Sequence, residues 1–96
     1  MRKGDTEAAQ AELEKVLAII HKRGETHGDF RENFKVIADT WSGYMDRVIS
    51  PSQVAVMMAQ LKMARDQTGD HPEHLRDALG YILLGILSQN REDEDG

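Results

Sequence analysis

Apolar residues recur with the 3.6-residue period of an α-helix in four segments of this chain. The first segment runs from about Thr6 to Arg23. Its apolar residues follow the i, i+3, i+4, i+7 spacing of one helix face: Leu13, Val16, Leu17 and Ile20. Asp5 or Thr6 can cap this helix, and Gly24 can supply the left-handed residue that ends it.

The second segment runs from about Phe30 to Val48, and Asp29 with Glu32 predicts a capping box at its start. One face of this helix carries most of the aromatic side chains of the protein. We expect that face in the core, and its members are Phe30, Phe34, Ile37, Trp41, Tyr44, Met45 and Val48.

The third segment starts at Ser50, with Pro51 at the first helical position and Gln53 completing a capping box. It ends at about Gln67. The residues predicted to face inward are Val54, Met57, Met58, Leu61 and Ala64.

The fourth segment follows a predicted turn over residues 68–72 and runs from Pro72 to about Gln89. Its predicted inward residues are Leu75, Ala78, Leu79, Ile82, Leu83 and Ile86. Gly80 and Gly85 lie in the interior of this predicted helix, where glycine is unfavourable, and they predict close approach of a neighbouring helix at both points.

Four helices, short links and no strand-like alternation predict an all-α fold, a compact antiparallel bundle of four helices. We expect one domain over residues 1–90 and an acidic disordered tail over residues 91–96. A chain of 96 residues buries a modest core. Together with the long apolar face of the second helix, this predicts a homo-oligomer.

Charge and composition exclude several classes of function. The net charge is −5, and the last six residues contribute −3 of it. Without a basic stripe, we expect no duplex nucleic acid partner and no anionic membrane partner. The chain has no cysteine, and its longest apolar run, residues 78–87, is too short to span a bilayer. The polar N-terminus carries no apolar signal core, which predicts a cytosolic protein.

Three polar groups are candidate sites. His27, Asp29 and Asn33 surround the link between the first two helices. This group can be a capped turn, or it can form one wall of a pocket for a nucleotide or phosphate. Lys62 and Arg65 lie three residues apart, which suits a helix C-terminus or a phosphate site.

The third group is His71, His74 and Asp77, with Tyr81 one turn further on. A His–carboxylate pair can be a hydrogen-bonded structural pair, bind a divalent metal or shuttle a proton. The sequence contains no phosphate loop, nucleophile elbow or zinc-protease motif.

Five ordered elements resemble an uncharacterised domain family of phage and prophage proteins. They are a GD-x-x-ENF stretch from Gly28, a W-x-x-Y pair from Trp41, the Ser50-Pro51 helix start, a K-x-A-R stretch from Lys62 and a D-x-x-GY stretch from Asp77. The resemblance covers about residues 20–87. It implies a phage or prophage source and, by itself, no activity.

Residues 73–81 are distantly similar to a motif of the all-α NTP pyrophosphatases of MazG type. Those proteins are oligomeric helical bundles that bind magnesium through an E-x-x-E motif and a later E-x-x-D motif. This chain has His74 in place of the later glutamate, retains Asp77, and has Lys62 and Arg65 where that family has paired glutamates. The likeness therefore implies the bundle fold more strongly than hydrolysis.

Two functional hypotheses follow. One is a phage-encoded protein that binds or hydrolyses a nucleoside polyphosphate, with a degenerate magnesium site. The alternative is a non-enzymatic module that binds a host protein through a helical face; a structural role in the phage is a third. The first predicts that Asp77 and His74 are catalytic, and that Asp77, with or without Asp29, coordinates any magnesium. Its predicted ligand-binding residues, which should meet the catalytic pair in one concave site, are His27, Asp29, Asn33, Lys62, Arg65 and Tyr81.

Overall fold

The computed structural model describes residues 2–66, 69 and 72–95, without the side chains of residues 90–95, and confirms the all-α fold. Within this described part there are four helices and no strand. They are α1 (Asp5–His27), α2 (Phe30–Met45), α3 (Pro51–Arg65) and α4 (Pro72–Asp95).

Helix α1 passes through Gly24 and ends only at His27, so the predicted end at Gly24 was wrong. A glycine inside a helix costs about 1 kcal/mol, which does not terminate it. The chain instead leaves the helix at Gly28, whose φ is 77° and whose N–H donates to the Gly24 carbonyl. The predicted cap was also wrong, because Gly4 holds that position without a side-chain bond and Asp5 is already helical.

Helix α2 begins as predicted, since the Asp29 carboxylate accepts a hydrogen bond of 3.0 Å from the Arg31 amide. That amide belongs to the second helical residue, whereas a capping box would use the third, so the predicted capping box of Asp29 with Glu32 was wrong. The helix ends before the predicted Val48, because Asp46 takes a left-handed conformation with φ of 53°. Tyr44 and Val48 are each 89% exposed, and Met45 is also exposed. The prediction that the aromatic face is buried along its whole length was therefore wrong.

The corner between α2 and α3 is closed by Ser42. Its hydroxyl accepts from the Ile49 amide at 2.8 Å and donates to the Ala38 carbonyl at 2.6 Å. The capping box at Ser50 is confirmed, because Ser50 and Gln53 each accept a hydrogen bond from the other's amide. Helix α3 then ends at Arg65, slightly before the predicted end.

Helices α3 and α4 pack against each other more extensively than any other pair. Their antiparallel direction follows from two contacts, Lys62 with Asp77 at one end and Ala55 against Gly85 at the other. A Cβ added at Gly85 would lie 3.1 Å from the Ala55 Cβ. A Cβ added at Gly80 would lie 3.6 Å from Ile20 Cγ1 on α1. The predicted close approach at both glycines is confirmed.

The core is built mainly from small residues. Its buried apolar members among the described residues are Val16, Phe34, Ala38, Val54, Ala55, Ala59, Ala78 and Leu84. Several residues predicted to face inward are instead exposed: Leu13, Leu17, Met57, Leu61, Ala64, Leu75, Ile82 and Ile86. A helix with apolar residues on two sides can bury only one of them in a bundle this small.

The backbone of α4 continues to Asp95, beyond its predicted end near Gln89. The division into a domain over residues 1–90 and a disordered tail stays a prediction. Thr68, Asp70 and His71, which belong to the predicted turn and to the predicted histidine group, lie outside the described residues. Across the described part of the chain, no helix combines the length and apolar character needed to span a bilayer.

An ion pair with two hydrogen bonds joins α1 to α4. The Arg76 guanidinium donates to the Glu12 carboxylate at 2.6 Å from Nε and 3.0 Å from Nη2. These bonds, more than the nearby Lys15 ammonium, lower the pKa of Glu12 to about 2, and the same pair raises the pKa of Arg76.

The Glu12–Arg76 pair predicts a specific pH dependence of stability. Because the pKa of Glu12 falls from 4.5 to about 2 on folding, its stabilisation is present above pH 4.5. This stabilisation is lost as the pH falls through the pKa that Glu12 has in the folded protein, about 2. Glu12→Gln should lower the Tm at neutral pH, and the difference from wild type should vanish near pH 2. Thermal unfolding between neutral pH and pH 2, with the exposed Glu14→Gln as control, measures this; a difference that stays constant with pH would contradict it.

Candidate functional site

Asp77 is the centre of a cluster of charges that joins three helices. Its Oδ2 lies 3.2 Å from Lys62 Nζ on α3 and 3.5 Å from Arg23 Nη2 on α1. The Lys62 and Asp77 side chains are only 15% and 18% exposed. Arg23 also donates from Nη1 to the hydroxyl of Tyr81. We call these four residues the Asp77 cluster, and its contacts tie α4 to both neighbouring helices.

A pocket of about 420 Å³ opens beside the Asp77 cluster. It lies between the last turns of α1, the first turns of α2 and one side of α4. Its lining is Ile20, His21, Arg23, Gly24, Glu25, His27, Gly28, Asp29, Phe30, Arg31, Asn33, Phe34, Tyr81 and Leu84. Arg23 and Tyr81 belong to both the pocket and the Asp77 cluster, so the two features share a wall.

Three aromatic rings form the apolar side of this pocket. Phe30 meets Phe34 edge to face, with ring centroids 5.8 Å apart, and Phe34 stacks on Tyr81 at 6.3 Å. Two guanidinium groups lie over these rings, Arg31 at 4.6 Å from the Phe30 centroid and Arg23 at 4.9 Å from that of Tyr81. Planar cations over ring faces are electrostatically favourable, so this wall places positive charge beside flat apolar surface.

The link between α1 and α2 positions the polar side of the pocket. The positive φ of Gly28 turns the chain sharply, so that only two residues separate α1 from α2. Asp29 is fixed by its capping bond, and its carbonyl accepts from the Asn33 amide at 3.2 Å. His27, in the last turn of α1, and Asn33, in the first turn of α2, therefore line the same opening.

The eight predicted site residues separate into three groups. His27, Asp29, Asn33 and Tyr81 line the pocket. Lys62 and Asp77 lie in the adjoining Asp77 cluster. His74 is half-buried on α4, Arg65 is exposed at the end of α3, and neither lines the pocket. The structure therefore brings four of the eight residues together in one pocket and separates Lys62 from Arg65.

Sequence reasoning missed Arg23 and Arg31. The sequence predicts that α1 ends at about Arg23, where a basic residue suits the helix dipole. Because α1 continues for another turn, Arg23 instead lies inside the helix and reaches Asp77 and Tyr81. A usable signal was present, since Arg23 follows the apolar Ile20 by three residues and precedes His27 by four, which places all three on one side of a helix.

No group of three or more histidine, aspartate or glutamate side chains with metal-binding geometry occurs in the described regions. Asp77, the residue predicted to coordinate magnesium, already contacts two cations. A metal ion at that carboxylate would have to share it with Lys62 and Arg23, whose positive charges would repel the ion. The donor set around Asp77 therefore fits an ion-pair network better than a magnesium site.

Comparisons with known proteins show the family. The curated relatives include the Gene 55 proteins of Mycobacterium phage D29, 42% identical over 71 residues, and of Mycobacterium phage L5, 38% identical over 76 residues. The matches cover 72% and 77% of this chain but 47% of each relative, so the chain spans about half the length of these relatives. No solved structure matches this chain. Residues 12–89 match the model of the domain of unknown function DUF6378, and the chain therefore belongs to this family, which is helical and has relatives in phages.

Proposed function

We propose that this protein is encoded by a phage or prophage and binds a nucleotide in the pocket between α1, α2 and α4. One observation carries the proposal: a pocket of about 420 Å³ combines three aromatic rings with His27, Arg31 and Asn33. Small-molecule sites typically measure about 300–1,000 Å³ and place a few polar groups around an apolar lining. A nucleobase and its sugar match this size.

The aromatic wall supports recognition of a base. Exposed π-faces stack on nucleobases, with contributions of about 1–3 kcal/mol per base. Phe30 is half-buried, so part of its surface remains available to a ligand. The Asn33 amide, exposed in the first turn of α2, can both donate and accept a hydrogen bond at a base edge.

Arg31 and His27 support recognition of phosphate. Both are exposed at the opening of the pocket, and a guanidinium can hold a phosphate with two parallel hydrogen bonds. Lys62, the residue first predicted for this role, contacts Asp77 instead. Asp29 caps α2 and so competes with an anion for the helix N-terminus. The phosphate would therefore lie toward Arg31 rather than on the helix axis.

The proposed activity is binding without hydrolysis. Magnesium–triphosphate sites normally use carboxylates that are free to coordinate the metal. Asp77 is committed to Lys62 and Arg23, and Asp29 to its capping bond. The distant likeness to MazG-type enzymes is consistent with the bundle, and the basic residues of α3 set this chain apart from their catalytic pattern.

Calorimetric titration with ATP, GTP, CTP, TTP, adenosine and pyrophosphate, with and without magnesium, tests the proposal. We expect at least one nucleotide to bind and to be recovered intact. Arg31→Ala and Asn33→Ala should each weaken its binding about tenfold, equivalent to about 1.4 kcal/mol. The matched control is Arg47→Ala, which removes an exposed arginine beyond the other end of α2 and should leave the Kd unchanged. Absence of binding across the panel, or equal effects of Arg31→Ala and Arg47→Ala, would contradict the proposal.

A second candidate function is a non-enzymatic module that binds a host protein. It is favoured by exposed apolar side chains at the end of α2, Tyr44 and Met45, and by the exposed Val48 just beyond it. Aromatic and methionine side chains are enriched where proteins meet. If no nucleotide binds in the calorimetric titrations, this second function is the one that remains.

A further inference from the structure

The solvent side of α4 carries an aliphatic stripe whose residues follow each other at spacings of four, three and four. We call Leu75, Leu79, Ile82 and Ile86 the α4 stripe. Leu75, Ile82 and Ile86 are 52%, 42% and 49% exposed, and Leu79 is half-buried. Alternating steps of three and four residues give the 3.5-residue period by which two helices pack along a seam. The stripe thus has the pattern of a helix–helix contact that the single chain does not form.

The stripe has no charged neighbours in sequence beyond its first turn. Residues 78–87 contain no charged side chain. The two charged residues just before them are already paired within the chain, Arg76 with Glu12 and Asp77 with Lys62 and Arg23. A partner chosen by charge would find nothing complementary here. A second copy of the same apolar stripe is complementary to it by composition.

The exposed area of the chain is large enough to leave room for the contact that a dimer requires. The chain exposes 7202 Å² at a mass of 10.8 kDa. A compact monomer of this mass exposes about 5,500 Å², which leaves an excess of about 1,700 Å². A standard stable interface buries about 800 Å² on each partner. Covering the α4 stripe and its surroundings would bring the exposed area of each chain toward the usual value.

We propose that the protein forms a homodimer in which the α4 stripes of two copies pack against each other about a two-fold axis. In such an arrangement the same patch contacts itself, which the regular spacing of the stripe allows. The pocket remains open in this dimer, because Tyr81 and Leu84 line it from a different side of α4. The dimer is therefore independent of the proposed ligand.

Light scattering coupled to size-exclusion chromatography tests the dimer with the full chain at high micromolar concentration. We expect a mass of twice 10.8 kDa for the wild type. Ile82→Glu and Ile86→Glu should each give a monomer with an unchanged far-ultraviolet circular dichroism spectrum. The matched control is Val36→Glu, at a residue of α2 that is 64% exposed, and it should remain dimeric. A monomeric wild type, or a dimeric Ile82→Glu variant, would overturn the proposal.

Cross-linking provides a second measurement that does not depend on a charged substitution. Because the chain has no cysteine, a single introduced thiol reports only its own surroundings. Ile82 lies near the centre of the stripe, and so near the two-fold axis. With oxidised glutathione as oxidant, two Ile82→Cys thiols should be oxidised to one intermolecular disulfide, with reduced glutathione as the other product. Val36→Cys should stay largely uncross-linked, and equal cross-linking of the two variants would contradict the dimer.

Discussion

Asp77→Asn should lower the free energy of unfolding by about 3 kcal/mol, which makes it one of the two most damaging substitutions that we predict. Asp77 is the counterion of two cations, and the Lys62 ammonium is only 15% exposed. Asparagine keeps the size of the side chain but leaves Lys62 and Arg23 facing each other without a negative charge. A largely buried charge without a partner costs more than the ion pair itself contributes.

Denaturant unfolding of Asp77→Asn measures this loss, and for a domain of this size the Tm should fall by more than about 10 °C. The matched control is Asp39→Asn, which breaks an exposed ion pair with Lys35 and should cost less than about 1 kcal/mol. Lys62→Met combined with Asp77→Leu should recover part of the stability, since it removes a buried cation and its anion together. Equal losses for Asp77→Asn and Asp39→Asn would show that the Asp77 cluster is not structural.

Gly85→Leu should destabilise the fold by about 3 kcal/mol, at the upper end of the usual cost of overpacking. A Cβ added at this position would lie 3.1 Å from the Ala55 Cβ and 3.9 Å from the Ser52 carbonyl oxygen. A leucine would therefore force α3 and α4 apart, along the most extensive helix contact of the protein.

Gly80→Ala is the matched control for Gly85→Leu, because its Cβ would lie at ordinary distances of 3.6 and 3.7 Å from Ile20 and Val16. It should raise stability by up to about 1 kcal/mol through helix propensity. Gly85→Ala should change the free energy of unfolding little, because the same gain in helix propensity is offset by the tight contact with Ala55. Thermal and denaturant unfolding of the three variants measure the order of their stabilities. A Gly85→Leu variant as stable as wild type would contradict the close packing of α3 and α4.

The starts of the helices were more predictable than their ends. Asp29, Ser50 and Pro51 act through hydrogen bonds and dihedral restrictions within a few residues of themselves. The end of α1 depended on competition between two glycines, and Gly28 rather than Gly24 took the positive φ. Local sequence marks both glycines as candidates and does not rank them.

The buried face of α4 could not be predicted from periodicity. Leu75, Ile82 and Ile86 form a regular apolar pattern and are exposed, whereas the buried side carries Leu84 and Ser88 beside the small residues Ala78 and Gly85. The small residues allow α3 to approach closely, and this benefit appears only when the neighbouring helix is in place. A pattern of hydrophobicity identifies a face that can be buried, whereas the fit between two helices decides which face is buried.

The candidate site was predictable where its residues are close in sequence. His27, Asp29 and Asn33 surround one link, so a correct helix start was enough to bring them together. Lys62 and Arg65 are separated because the side chains of residues three apart on a helix point in different directions. Lys62 contacts Asp77, and Arg65 is exposed to solvent. Arg23 was missed because its role depends on residues of α4 more than fifty positions away.

One wall of the pocket belongs to the most loosely held helix. Of the 23 residues of α1, only Val16 is buried. We therefore expect detachment of this helix to require less free energy than melting of the α3–α4 pair, which would give a partly open state below the free energy of global unfolding. In that state the cavity does not exist. Any molecule that occupies it would hold α1 in place, and amide protons of α1 would exchange with solvent more slowly while those of α3 kept their rate.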